Sequence, residues 1–381
     1  MKNKLYTIFI LSAVTFLVSC KSASKLYQKG NYDEAVTVAA KKLQKDPNNK
    51  SLQSTIINAY RFAVNDHESN IANYSSSNND LKWEWIYNEY TSLQNLYDAI
   101  YRSPQVYQLV NPTDYSSYLT TYAEKAGNAR YERGLVWMEK NDKQSFKNAY
   151  GEFQAALRFK PGDIEVLDKM NEAYSDAVTN VVVLPINHYD FRFSSYNYDY
   201  NNVDERLIRS LKNNSGNQFV KFFSAAEARS LNTRIDNYVE MQFMNINIGG
   251  FYDTKKTREV SQKVVTKEIV YKPDSIVKVY GIVKAKITTT QRSMHSEGSI
   301  QITVRDASGI RLWSDVLKSN DDWYTEFATY TGDERALSDS DNQLVNRKQE
   351  RPPSEDEIIN CMTEEMNNNL PYKIRDYFNR F

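Results

Sequence analysis

The stretch VTNVVVLPINHYD, residues 178–190, is where this chain of 381 residues changes its period. Val181, Val182, Val183 and Leu184 make a β-branched-rich run stopped by Pro185, which predicts a short buried strand. Before it, apolar residues recur at helical spacing; after it, they begin to alternate. The stretch therefore divides the chain into a helical half, 20–178, and a mixed half, 179–381. The predicted fold class is α plus α/β.

The helical half contains two similar segments. In residues 26–49, Gly30 breaks one helix. Ala35 and Ala39 allow close helix approach, and Asp46-Pro47 stops the next helix. In residues 134–163, Gly134, Phe146, Ala149, Phe153, Ala156 and Pro161 fall in the same order. With Tyr32 as the aromatic of the first segment, this pattern resembles the tetratricopeptide repeat. The resemblance implies stacked helix pairs whose concave face binds other proteins; the alternative is an array that only spaces the membrane from the next domain. Between the segments, Leu52, Ile56, Ile57, Tyr60 and Ala63 form one apolar face, and Trp85 to Ile100 crowd another. Residues 73–80 and 103–114 read as polar breaks. A helix over 164–178 closes the array.

In the mixed half, Val203, Leu207, Ile208 and Leu211 predict an amphipathic helix. Residues 218–223 predict a second strand, and Ser224 a cap on the helix that follows. Residues 277–288 and 299–305 alternate as strands, and 305–310 form a hairpin turn with Gly309 at a positive φ. Ser354 and Glu357 form a capping box that opens a last helix. This order gives a mixed α/β sandwich with an antiparallel meander. It resembles the α/β domain of the curli-secretion lipoprotein and of the lipoprotein activators of penicillin-binding proteins. The likeness is carried by VVVLPINHYD, by Asp236–Phe243 and by Gly298–Leu317. Residues 191–202 and 320–353 depart from it as long loops, the second polar and expected to be mobile.

At the amino terminus, Lys2 and Lys4 precede a predominantly apolar run of fourteen residues, Leu5 to Val18. That run suits a signal-peptide core and falls short of the roughly eighteen residues that span a bilayer. Leu17-Val18-Ser19-Cys20 resembles the bacterial lipobox. The resemblance implies removal of residues 1–19 and acylation of Cys20, each buried methylene holding the membrane by about 0.8 kcal/mol. Three lysines and no acid follow in residues 21–30. The expected location is the outer membrane, facing the periplasm.

Charge is balanced, 48 basic against 48 acidic residues, and residues 1–19 hold two lysines and no acid, so the mature chain carries −2. That excludes the basic excess of a nucleic-acid surface. The histidines His67, His188 and His295 lie far apart, with one spare cysteine, Cys361, so no metal set and no cofactor is expected. His188 and Asp190 have no nucleophile beside them. Most of the 28 tyrosines are expected to build helix contacts. Tyr196, Tyr198, Tyr200, Trp323 and Tyr324 are candidates for a partner or glycan surface.

Three readings compete. The first is a non-catalytic envelope lipoprotein that scaffolds or regulates peptidoglycan synthesis, outer-membrane biogenesis or secretion through other envelope proteins. The second is an oligomeric secretion channel. Its best membrane strand, residues 258–271, alternates as Val260, Gln262, Val264, Thr266, Glu268 and Val270, and neither face suits hydrocarbon. The third is a glycan-binding or glycan-processing lipoprotein, with carboxylates at Asp321, Asp322 and Glu326.

Overall fold

The computed structural model describes residues 22–187, 200–213, 216–232, 234–272 and 275–380. Residues 1–21 with Cys20, the His188–Asp190 pair, Tyr196 and Tyr198 lie outside the described residues. The chain divides after Ala177 into two compact units. Together they hold twelve α-helices and one mixed sheet of six strands among the described residues, an α plus α/β fold.

The first unit is helical throughout. Its elements are α1 (Ala23–Gln28), α2 (Tyr32–Leu43), α3 (Lys50–Ser75), α4 (Lys82–Tyr101), α5 (Pro104–Val110), α6 (Ser116–Met138), α7 (Lys143–Phe159) and α8 (Ile164–Ala177). Gly30 turns the chain between α1 and α2 at φ +78°, a conformation that costs a side-chain-bearing residue about 1–2 kcal/mol. Asn49 caps α3 by accepting a hydrogen bond from the Leu52 amide at 3.2 Å. Ala35, Ala39, Ala59 and Ala63 are buried in a core shared by α1 to α5, where their small size permits close packing. Ile57, expected on that apolar face, is exposed. A second core gathers Ala149, Phe153 and Ala156 of α7 with Val166 and Ala173 of α8.

Two helical expectations change. Residues 103–114 are not an unbroken loop. Pro104 occupies the first turn of α5, where its missing N–H is not needed, and Val106 buries. The helix ends at Asn111, which is left-handed at φ 49°. Gly134 is not a turn glycine like Gly30. It lies inside α6, where a Cβ would stand 2.4 Å from the Phe153 ring.

The second unit begins as the sequence predicts: β1 (Thr179–Val183), α9 (Tyr200–Lys212), β2 (Val220–Ser224), α10 (Ala225–Leu231) and β3 (Asn237–Asn247). β1 pairs in parallel with both β2 and β3. Ser224 caps α10 through a capping box with Glu227. Then come three long antiparallel strands, β4 (Tyr252–Lys272), β5 (Ser275–Asp306) and β6 (Arg311–Gly332). The β5–β6 turn is closed by Asp306, which accepts from the Ser308 and Ile310 amides at 2.9 Å, with Gly309 at φ +88°.

Helices α9 and α12 (Glu355–Phe378) cover one face of the sheet. Val239, Met241 and Phe243 of β3 sit opposite Val304, Ile302 and Ile300 of β5 on that face. They pack against Leu207, Leu211, Met362, Met366 and Ile374. Helix α12 continues past Pro371 to Phe378, with Ile374 and Phe378 still buried.

Residues 320–353 correct the predicted loop. Residues 320–332 are the second half of β6, with Thr325 and Phe327 buried. The acids at its start hide the alternation, and the inward row mixes Ser319 and Thr325 with Trp323 and Phe327. After a 3₁₀ turn (Glu334–Ala336) the chain forms α11 (Asp339–Val345), opened by a capping box between Ser338 and Asp341. Asp341 is buried and meets the Arg258 guanidinium. Ala336, Leu337 and Leu344 cover Ala285 and Ile287 of β5. One 32-residue strand therefore buries even-numbered residues in the α12 core and odd-numbered ones, on the opposite face, under α11.

Candidate functional site

In the helical unit the tyrosines act first on one another. Trp83, Tyr87 and Tyr90 recur on one face of α4, and Tyr118, Tyr122 and Lys125 on the facing side of α6, both at i, i+3/i+4 spacing. Tyr90 stacks on Tyr118 and Tyr122 at 4.8 and 5.0 Å between ring centroids. Burial in this stack, with the neighbouring phenols, pushes the Tyr90 hydroxyl up to about 12. Trp83 continues the row beside Tyr122 at 6.1 Å.

The row opens into a cleft of 430 Å³ lined by Asp80, Trp83, Glu132, Arg133, Val136 and Trp137. Helix α6 supplies four of these because residues 132, 133, 136 and 137 fall on one face. Arg133 is held by Glu152 of α7 at 3.1 Å, and Arg130, one residue-triplet earlier, bridges Glu84 and Glu152 at 2.6 and 2.9 Å. Burial works against the Glu152 charge, but the Arg130 and Arg133 hydrogen bonds outweigh it and lower its pKa. The cleft floor is thus pinned by ion pairs across three helices. Val136 is exposed at its rim. Lysine ammonium groups stand over both indoles: Lys82 and Lys125 at 4.8 and 4.7 Å from Trp83, Lys140 at 3.7 Å from Trp137.

The mixed unit has a groove of similar size, 440 Å³, lined by Asn245, His295, Glu297, Lys318, Ser319 and Asn320. Nδ1 of His295 meets Asp322 at 2.6 Å, and that carboxylate raises the imidazole's pKa. Both groups are largely exposed. Ser319 of the same groove donates its hydroxyl to Glu365 of α12. Among the described residues no group of three or more metal-binding side chains exists, and no helix is long and apolar enough to cross a membrane.

The residues predicted from sequence separate into three sets. Tyr32 stacks on Phe62 at 5.2 Å, and Ala35, Ala149, Phe153 and Ala156 are buried between helices. Pro47 and Pro161 follow the ends of α2 and α7. Trp323 and Tyr324 do not form one surface. As neighbours in β6 they point to opposite faces, Trp323 packing on the α12 core and Tyr324 exposed. Tyr200 begins α9; its partners Tyr196 and Tyr198 lie outside the described residues. Asp321 and Asp322 are neighbours on opposite faces of β6 in the same way, while Asp322 and Glu326 share one face about 13 Å apart along the strand. The sequence reading missed Trp83 and Trp137. They come from different helices, and only the lysines at local spacing, Lys82 and Lys140, hint that the rings are special.

No known protein family matches the chain, and neither does any curated protein.

Proposed function

We propose that the protein is a non-catalytic binding protein of a bacterial envelope. It is anchored by acylated Cys20 and faces the periplasm from the outer membrane. Its helical unit is a tetratricopeptide-like array, and its partner is another envelope protein, of peptidoglycan synthesis or of outer-membrane assembly or secretion. The observation that carries the reading is the Trp83–Trp137 cleft. It is a concavity on packed helices, with aromatic, aliphatic and charged groups of both signs at one place. Such a lining suits an extended peptide segment better than a flat surface does. Gly30 in its turn and the buried pairs Ala35/Ala39 and Ala149/Ala156 support the repeat-like packing.

The glycan reading is less favoured here, because Lys82, Lys125 and Lys140 already stand over the indole faces on which a sugar would stack. The channel reading is less favoured because lysines are spread along both faces of the longest hairpin, where a lipid-facing strand needs an unbroken apolar side.

Two measurements test the proposal. Growth with a palmitate analogue should label the wild-type chain and not Cys20→Ala; an unlabelled wild type rejects the anchor. A photoreactive residue at Val136 should trap one envelope protein in stoichiometric yield in cells, and Trp83→Ala with Trp137→Ala should abolish the adduct. A lone monomer with no adduct in mild detergent rejects the scaffold. Retained wall fragments favour the glycan reading, and a homo-oligomeric ring the channel.

A further inference from the structure

The β4–β5 hairpin outgrows its support. β5 pairs with β6 only as far as Ala285, opposite Gly332. Beyond that point β4 from Ser261 and β5 back to Ser275 have only each other as strand neighbours among the described residues. At about 3.3 Å per residue this two-stranded part is roughly 35 Å long, its base still held by the 3₁₀ turn, where Arg335 donates to the Val265 carbonyl at 3.3 Å. A two-stranded ribbon of this kind is marginal in water unless a face is covered.

Register decides what the faces carry. A bulge between Val265 and Lys267 shifts the pairing by one residue, so Glu268 leaves the row begun by Val260 and Val264, and Ile269 joins it. On the opposite face Val265, Val270, Ile276, Tyr280 and Ile282 lie among Lys263, Lys278 and Lys284. Ile282 is 71 % exposed, Val270 63 % and Tyr280 55 %. Lys263 leans over the Tyr280 ring at 5.4 Å. Glu268 is the acid on this face and meets Lys278 at 3.8 Å.

The hairpin is also the basic part of a balanced chain. Residues 254–286 hold nine cations against three acids, in a protein of 48 against 48. Eight of the nine are lysines, and the one arginine, Arg258, is engaged by Asp341.

We propose that this arm docks on an anionic phospholipid surface. Ile276, Tyr280, Ile282 and Val270 rest among the upper acyl carbons, while Lys263, Lys278 and Lys284 reach the phosphates. Lysine stems bury along apolar surface with the ammonium kept at headgroup level. The charge selects an anionic partner and opposes side-by-side pairing of two like-charged arms. The chemistry selects lipid over an acidic protein: protein interfaces are depleted in lysine and gather their apolar contacts in a packed centre, whereas this row is linear, flat and lysine-studded. The open backbone edges of both strands forbid deeper burial in hydrocarbon. The contact is separate from Cys20 and stands whether or not that residue is acylated.

The test uses the chain from Lys21 onward, which lacks Cys20, with vesicles of phosphatidylcholine alone or containing about one third phosphatidylglycerol. The protein should sediment with the anionic vesicles only and leave them as salt rises from about 0.05 to about 0.5 M. Lys263→Glu with Lys278→Glu, and separately Ile276→Ser with Ile282→Ser, should each weaken binding at least about tenfold with circular dichroism unchanged. Amides of residues 276–283 should exchange more slowly on the vesicles. Equal binding to neutral vesicles, no binding to either, or binding that ignores these four substitutions overturns the proposal. So does a soluble dimer, or a complex with an acidic protein, that protects the same amides without lipid. None of these outcomes touches the labelling at Cys20, so the arm and the anchor fail independently.

Discussion

His67 shows how a residue can be central to a fold and silent in its sequence. It lies on α3, with Nδ1 2.5 Å from Glu89 of α4 and Nε2 3.1 Å from Asp33 of α2. Its side chain is only 13 % exposed. Burial opposes its charge, but the hydrogen bonds to Asp33 and Glu89 prevail and push its pKa up to about 9. A pKa raised in the folded state contributes stability in full below the unfolded value of about 6.5, and loses it as pH rises through about 9. The helical unit should therefore be more stable near pH 5.5 than near pH 10 by about 2–3 kcal/mol from this clamp alone. Urea unfolding of the wild type and of His67→Gln checks it. The two should differ at the lower pH and converge at the higher one; an equal gap at both assigns His67 a packing role only. The histidines are scattered without a ligand-like interval, so nothing local announces the clamp. Asp33 and Glu89 reach His67 only because three helices stack.

At the scale of elements, α6 and α7 make a sharper case. Gly134 and Gly151 are both helical glycines, and the sequence singles out the first only through a repeat-like order. Alanine at Gly151 would meet nothing within 4 Å, whereas at Gly134 its Cβ would press on the buried Phe153 ring at 2.4 Å. Helix propensity alone favours alanine by about 1 kcal/mol at either site. Overpacking at Gly134 costs about 1–3 kcal/mol and reverses the sign there. Gly151→Ala should raise the thermal midpoint of the helical unit and Gly134→Ala should lower it; two shifts of the same sign would show that α6 and α7 do not pack as described. The strands were unevenly legible for a related reason. Val277, Val279 and Val283, and again Ile300, Ile302 and Val304, announce themselves by period. Residues 320–332 do not, because Trp323, Thr325 and Phe327 share the inward face with a threonine between the two rings, and the acids Asp321 and Asp322 stand at the start; in β4 the bulge near Thr266 breaks the parity that a period of two assumes. The switch in β5 from odd to even burial needs a partner on each face, α11 and α12, and neither can be placed from the strand itself.

For the whole molecule, helical spacing ends where Val181 to Val183 begin, and the chain divides into its two compact units at Ala177/Val178. Each unit encloses its own apolar cores. In the first, these are the clusters around Ile56 and Leu96 and around Phe153; in the second, those around Ile302 and Met366 and around Ile287. Units of about 160 and 200 residues with separate cores are large enough to fold alone. Calorimetry of the chain from Lys21 should then resolve two transitions rather than one. Residues 178–381 expressed alone should unfold cooperatively at a midpoint matching one of them. The pH response argued for His67 offers an assignment: raising the pH should lower the transition absent from residues 178–381 and leave that effect of His67→Gln confined to it. A single transition in the full chain, lost when the second unit is expressed alone, would mean that the cores stabilise each other. The helical unit would then be an integral part of the α/β fold rather than an independent binding platform.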